Sequence, residues 1–195
     1  MNIVLIGYRG TGKSTIAKIL SARLKWPRFN LDEAIVKDMG MSIPQIVKKH
    51  GWEFFRDAES RMVEKTSTMD RTIIDAGGGV IVRAGNIDIL RTKGFIIWLK
   101  ARPETIIRRI KDNTNRPSLT GKKSFLEEVQ EVLAERAPHY QAAAHVVIDT
   151  DNLSPQDVAE KIIEELKEKN SRKVSGKGSL NQTHRPQSGK RNRNR

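Results

Sequence analysis

Gly7-Tyr8-Arg9-Gly10-Thr11-Gly12-Lys13-Ser14-Thr15 follows a short apolar run, Ile3-Val4-Leu5-Ile6, and opens an amphipathic one, Ile16-Ala17-Lys18-Ile19-Leu20. Strand, glycine-rich turn and helix in that order are the setting in which G-x-x-x-x-G-K-[ST] reads as a phosphate-binding loop. The glycines let the backbone curl until successive N–H groups point inward at a polyphosphate, and the helix N-terminus adds the positive end of its dipole. Lys13 is then expected to reach the β- and γ-phosphates of a nucleoside triphosphate, with the Ser14 hydroxyl on Mg2+. The plain alternative is a generic strand-turn-helix of an α/β domain.

Outward from this loop, short apolar runs near 2–6, 28–31, 72–76, 95–99 and 145–149 alternate with helical patterns. Such alternation predicts a parallel sheet with helices on both faces. Ser42-Ile43-Pro44-Gln45 and Ser124-Phe125-Leu126-Glu127 read as capping boxes, and Ser154-Pro155 as a cap followed by proline at the first helical position. Between about 112 and 123 a polar stretch with one proline and one glycine breaks the pattern. In a compact α/β protein a loop of that length serves as a lid or binding loop, a surface connection being the alternative.

At 195 residues the chain suits one domain, about 1–170, with a tail, 171–195. The formal charge of +13 is concentrated in that tail, which holds eight Lys/Arg and no Asp/Glu. Residues 1–170 carry 28 basic against 23 acidic residues, a modest +5. With only Val174 and Leu180 as aliphatic residues, the tail is expected to be disordered. Nucleic acid could bind through it electrostatically, although it has no aromatic side chain for base stacking. The absence of cysteine fits a reducing compartment. No apolar run approaches membrane-spanning length, so the expectation is a cytoplasmic protein with no membrane partner, monomeric by default for so small a domain.

Phosphoryl transfer also needs an acceptor hydroxyl in line with the γ-phosphate and a carboxylate near it. Ligands of parallel sheets sit outside the carboxyl ends of the strands. Asp32 follows the second strand there, and Gly77-Gly78-Gly79 follows the third. Arg56 falls on the helical stretch Trp52-Glu53-Phe54-Phe55-Arg56, and Arg136 is read as ending the helix after the 112–123 loop. Two arginines, an aspartate and a triglycine describe an acceptor with an anion and several hydroxyls. Singly, each has a simpler explanation: a salt bridge of Arg56 with Glu59 or Glu53, a helix cap at Asp32, an ordinary turn at the glycines.

In combination these motifs, with Asn115-Arg116-Pro117 and Glu135-Arg136-Ala137-Pro138-His139-Tyr140, closely resemble the shikimate kinase family over roughly residues 1–165. The resemblance implies a compact, nucleoside-monophosphate-kinase-like P-loop fold, a five-stranded parallel sheet ordered 2-3-1-4-5 with a lid. It implies transfer of the γ-phosphate of MgATP to the 3-hydroxyl of shikimate, in aromatic amino-acid biosynthesis. By position, Asp32 would bind the shikimate hydroxyls as base or orienting group, Arg56 and Arg136 would grip its carboxylate, and Gly78 would give a backbone contact. Gly10, Thr11, Gly12, Lys13, Ser14 and Thr15 would hold ATP, with Arg116 closing from the lid as a third catalytic residue beside Lys13 and Asp32. Arg109 and Pro155 match the places that flank adenine.

One departure stands out. The family pattern has Asp-x-Asp after the second strand, where this chain has Asn30-Leu31-Asp32. Strand three, however, ends Ile73-Ile74-Asp75-Ala76-Gly77, with an aspartate where other P-loop proteins carry a Walker-B carboxylate. Asp75 is therefore a candidate to supply, through water, the magnesium-side charge that Asn30 lacks. The alternative has Asp75 bonding only the loop backbone, with Asn30 itself holding the water well enough. Rival functions are another small-metabolite kinase of the same fold, for gluconate or a nucleoside monophosphate, and a nucleotide-dependent nucleic-acid-binding regulator acting through the tail. Deletion after about residue 170 is expected to leave an enzyme's kinetic constants intact.

Overall fold

A computed structural model describes residues 1–110 and 125–177 of the chain. Five parallel strands, β1 (Asn2–Ile6), β2 (Arg28–Asn30), β3 (Ile73–Asp75), β4 (Gly94–Lys100) and β5 (Val146–Asp149), lie in the order β2-β3-β1-β4-β5. Strand positions agree with the sequence reading to within one residue at each end.

The central strands are apolar throughout because both faces are covered, and their side chains divide with period two. Val4, Ile6, Ile74, Ile96 and Trp98 face one core, with α2 (Leu31–Met39), α3 (Ile43–Thr66), α4 (Ala84–Lys93) and α6 (Phe125–Ala143). Ile3, Leu5, Ile73, Phe95, Ile97 and Leu99 face the other, against α1 (Lys13–Leu24) and α7 (Pro155–Lys177). A third cluster seats α5 (Pro103–Ile110) and α6 over Tyr8 of the phosphate loop, through Ile106, Ile110, Val129 and Val132.

Ser42 and Gln45 form the expected capping box, and the Ser154 hydroxyl accepts from Asp157 N at 3.2 Å. The box expected at Ser124, the 112–123 lid and Arg116 lie outside the described residues. One alternative and two expectations need correcting. Asp32 sits in the first turn of α2, because Asn30 caps that helix by accepting from Glu33 N at 2.9 Å. Arg136 lies inside α6, which runs through Pro138 to Ala143 because Tyr140 and Ala143 still have core to bury. The tail boundary at 170 falls inside α7, whose backbone stays helical to Lys177. Residues 178–195 lie outside the described residues. No helix among the described residues is long and apolar enough to cross a membrane.

Candidate active site

The loop between β1 and α1 is shaped by three glycines at positive φ: Gly7 at 139°, Gly10 at 82° and Gly12 at 92°. Gly7 is also forced by space, since a Cβ there would stand 2.4 Å from the Leu99 carbonyl oxygen. The buried Lys13 ammonium donates to the Gly7 and Tyr8 carbonyls at 2.8 and 3.0 Å, and Thr11 Oγ1 donates to Tyr8 O at 2.8 Å. These bonds hold the loop curled around its lysine.

A cavity of about 560 Å³ opens over this loop. Its walls carry Arg9 to Ile16, then Asp32, Asp75 and Gly78 from the ends of β2 and β3, and Arg109, Thr150, Leu153 and Pro155 on the other side. Arg109 is anchored by donating to Thr150 Oγ1 at 3.0 Å and Thr150 O at 2.7 Å, which fixes one edge of an apolar slot with Leu153 and Pro155. Thr150 and Leu153 escaped the sequence reading; no motif marks them, only their position just after β5. Arg9, an unspecified position of the loop motif, also lines the cavity and lies 3.7 Å from the buried Glu128 carboxylate of α6.

At the ends of the inner strands, register brings Leu5, Asp75 and Asn30 side by side. Asn30 Nδ2 donates to Asp75 Oδ2 at 2.6 Å, so Asp75 is bonded to the neighbouring strand and not to the loop backbone.

The triglycine turn after β3 is the crossroads of the site. A Cβ on Gly77 would come 2.9 Å from Glu59 Oε1 and 3.2 Å from Asp32 Oδ1. One on Gly78 would press the loop, 3.3 Å from Gly7 O. One on Gly79 would fall 2.0 Å from Arg56 Nη1. Each missing side chain therefore makes room for a different functional group.

Arg56, only 8 % exposed, donates to Glu59 Oε2 at 2.7 Å and lies against the Trp52 and Phe55 rings, 5.5 and 5.2 Å from their centroids. Glu59 is 1 % exposed; burial pushes its carboxyl above the usual glutamate range, and the Arg56 charge pulls it part of the way back. From α6, Arg136 donates to Gly78 O at 3.3 Å, its buried Nε has no hydrogen-bond partner among the described residues, and the Tyr140 hydroxyl donates to the same carbonyl. Burial raises the Tyr140 pKa far above the ordinary tyrosine value, so it stays a neutral donor.

A kink aims this half of the site. Gly51, at φ 85° and ψ 172°, breaks α3 and sends Trp52–Thr66 off in its own direction. Those of the expected site residues that are described are thus gathered at one sheet edge. Lys13, Asp32 and Gly78 share the cavity wall, while Arg56 and Arg136 reach the triglycine turn without being part of that wall. The Glu59 alternative for Arg56 is real as well, and its burial beside Asp32 places that ion pair inside the site. His145 is structural: its Nδ1 accepts from Ile96 N at 2.9 Å.

Comparison with known proteins adds likenesses of three kinds. The family model described as shikimate kinase matches residues 9–167. Among curated relatives, the shikimate kinase of Dehalococcoides mccartyi is 39% identical over 167 residues, covering 86% of this chain and 94% of that one. That of Thermodesulfovibrio yellowstonii is 41% identical over 164 residues, covering 84% and 94%. Among solved structures, shikimate kinase from Acinetobacter baumannii in complex with shikimate superposes with a TM-score of 0.82 at 28% identity, covering 86% of this chain and 93% of that one.

Proposed function

This chain belongs to the shikimate kinase family, and from that membership we propose that it transfers the γ-phosphoryl group of ATP to the 3-hydroxyl of shikimate. The observation that carries the reading is the 77–79 turn. It touches Asp32, takes Arg56 and Arg136 from two different helices, and forms a wall of the cavity that holds Lys13.

In this reading the loop N–H groups and Lys13 bind the β- and γ-phosphates and exchange the loop-carbonyl bonds of the ammonium for phosphate oxygens. Arg109, Leu153 and Pro155 flank the adenine. Arg56 and Arg136 take the shikimate carboxylate. The two are suited to it: Arg56 is held rigid by Glu59 and two rings, and Arg136 has a buried N–H without a partner among the described residues. Gly78 offers a backbone contact, and Asp32 accepts from the ring hydroxyls, orients the attacking one and receives its proton. Arg116 would bring positive charge to the transferring group and, with its loop, exclude water.

The oxygen-rich wall beside the loop, with Ser14 and Asp75, fits a hard cation arriving with ATP. Mg2+ bound there would neutralise charge on the β- and γ-phosphate oxygens. The same proposal takes the enzyme to be a cytoplasmic monomer.

The test is a coupled ADP-release assay with MgATP, run without acceptor and then with shikimate, gluconate or nucleoside monophosphates. Shikimate alone should give robust turnover, with little ADP released in its absence. Preferred turnover of gluconate or a nucleotide would sink the assignment.

A further inference from the structure

We propose that Asp75 is the carboxylate that holds the hydrated divalent cation accompanying ATP, and that Asn30 is the residue that positions it. This rests on the nucleotide reading of the Lys13–Ser14 loop.

The argument begins with the Asn30 amide, both ends of which are committed. Its Oδ1 accepts from Glu33 N at 2.9 Å and caps α2, so its NH2 group must face the other way, where it donates to Asp75 Oδ2 at 2.6 Å. An amide nitrogen turned outward has no lone pair for a cation. Asn30 therefore supplies a donor and an orientation, and Asp75 supplies the charge.

Asp75 is placed for that task. It is the last residue of β3, in register with Leu5 of β1, the strand that runs on into the phosphate loop. It is 3 % exposed and lines the cavity together with Lys13 and Ser14. Both of its side-chain contacts fall on Oδ2, from Asn30 and from Arg28 Nη1 at 3.7 Å, and Oδ1 accepts no hydrogen bond from any described residue. Arg28 gives only partial compensation, since its Nη2 is forked onto Glu33 at 2.8 and 3.0 Å. A buried carboxylate with one oxygen pinned and one open is incompletely compensated, and a cation in the cavity would complete it.

The other carboxylate on the described cavity wall, Asp32, packs against Gly77 on the side of Glu59 and the acceptor. The two acids are thereby divided between acceptor and cation. Mg2+ keeps most of its water when it binds with a nucleotide, so the contact to Asp75 is expected through a coordinated water.

The test uses Mn2+ as the probe, titrated into full-length wild type, Asp75→Asn and the swap Asn30→Asp/Asp75→Asn, each saturated with ADP. Bound and free Mn2+ are read from the electron paramagnetic resonance signal, and ADP binding without metal is measured in parallel. Asp75→Asn should weaken Mn2+ by about tenfold, the scale of an outer-shell partner, with metal-free ADP binding unchanged. The swap should recover most of that loss, because aspartate caps a helix as well as asparagine does and the pair keeps one charge and one amide. Unchanged Mn2+ affinity in Asp75→Asn overturns the proposal. So does an equal loss in a swap variant that melts like wild type, since the charge would then be irrelevant. The readout does not involve the acceptor: an enzyme that ignored shikimate yet lost Mn2+ in Asp75→Asn would sink the substrate assignment and leave this one standing.

Discussion

The two halves of the cleft, one proposed for the nucleotide and one for the acceptor, are built by different means. The nucleotide half is backbone: nine consecutive residues whose glycine torsions and carbonyls shape the loop around Lys13, in contact with Leu99 and Ile110. The acceptor half is side chain: Asp32, Arg56, Glu59 and Arg136 come from three helices and meet over a turn emptied of side chains for them. A backbone-built site has little room to give, so damage there should reach fold and chemistry together. A side-chain-built site can lose one member and keep its shape, so damage there should appear as weakened binding of one substrate.

The sharpest contrast comes from Lys13→Met. Removing the Lys13 ammonium, proposed to bind the transferring phosphates, should lower shikimate-dependent turnover about a thousandfold, the scale of losing a preorganised charge at the reacting group. Single-turnover ADP release at saturating shikimate would check it. A loss below tenfold would mean that the loop does less than its geometry claims.

The paired glycine substitutions come next. Gly7→Ala sets a Cβ against the Leu99 carbonyl at φ 139° and should cost on the order of 3 kcal/mol, seen as a fall in Tm of roughly 10 °C. Gly79→Ala displaces the Arg56 guanidinium instead. It should raise the KM for shikimate about tenfold or more, with the KM for ATP within about twofold, as expected for one lost charge-assisted contact. Equal effects of Gly79→Ala on both KM values would erase the distinction between the halves.

The smallest expected effect is a pH dependence confined to the acceptor half. Burial raises the Glu59 carboxyl above its ordinary 4.5, partly offset by Arg56. On acidification the folded protein takes up this proton before the unfolded chain does, so between 4.5 and the raised value unfolding free energy falls as pH increases. In the same window protonation removes the anion that holds Arg56. The KM for shikimate should therefore rise a few-fold as pH drops through it, while the KM for ATP stays flat. Glu59→Gln should start with a high KM and lack that step, and the substrate's own carboxyl titrates alike in both enzymes. A step of the same size in Glu59→Gln would assign the effect to the substrate.

The chain itself determined whatever is written locally. The apolar runs that became the strands, the capping box at Ser42, the Ser154-Pro155 start and the loop around Lys13 each depend on neighbours a few residues away, so spacing alone exposes them. Asp32, Arg56, Gly78 and Arg136 were legible as candidates at the carboxyl ends of the strands, but how they meet over the 77–79 turn was not. It depends on the Gly51 kink, on α6 running past Arg136 to bury Tyr140, and on strand register bringing residues 30 and 75 side by side. The last helix continuing past 170 was hidden for a related reason: once its apolar face is anchored on the sheet, helix propagates into a segment whose composition alone argues against it. Tertiary structure alone decided which groups are pinned, including the Asn30 amide turned by its helix cap and held on Asp75 Oδ2. Those outcomes follow from packing between residues tens of positions apart, where burial and hydrogen bonding, and not local propensity, set the free energy.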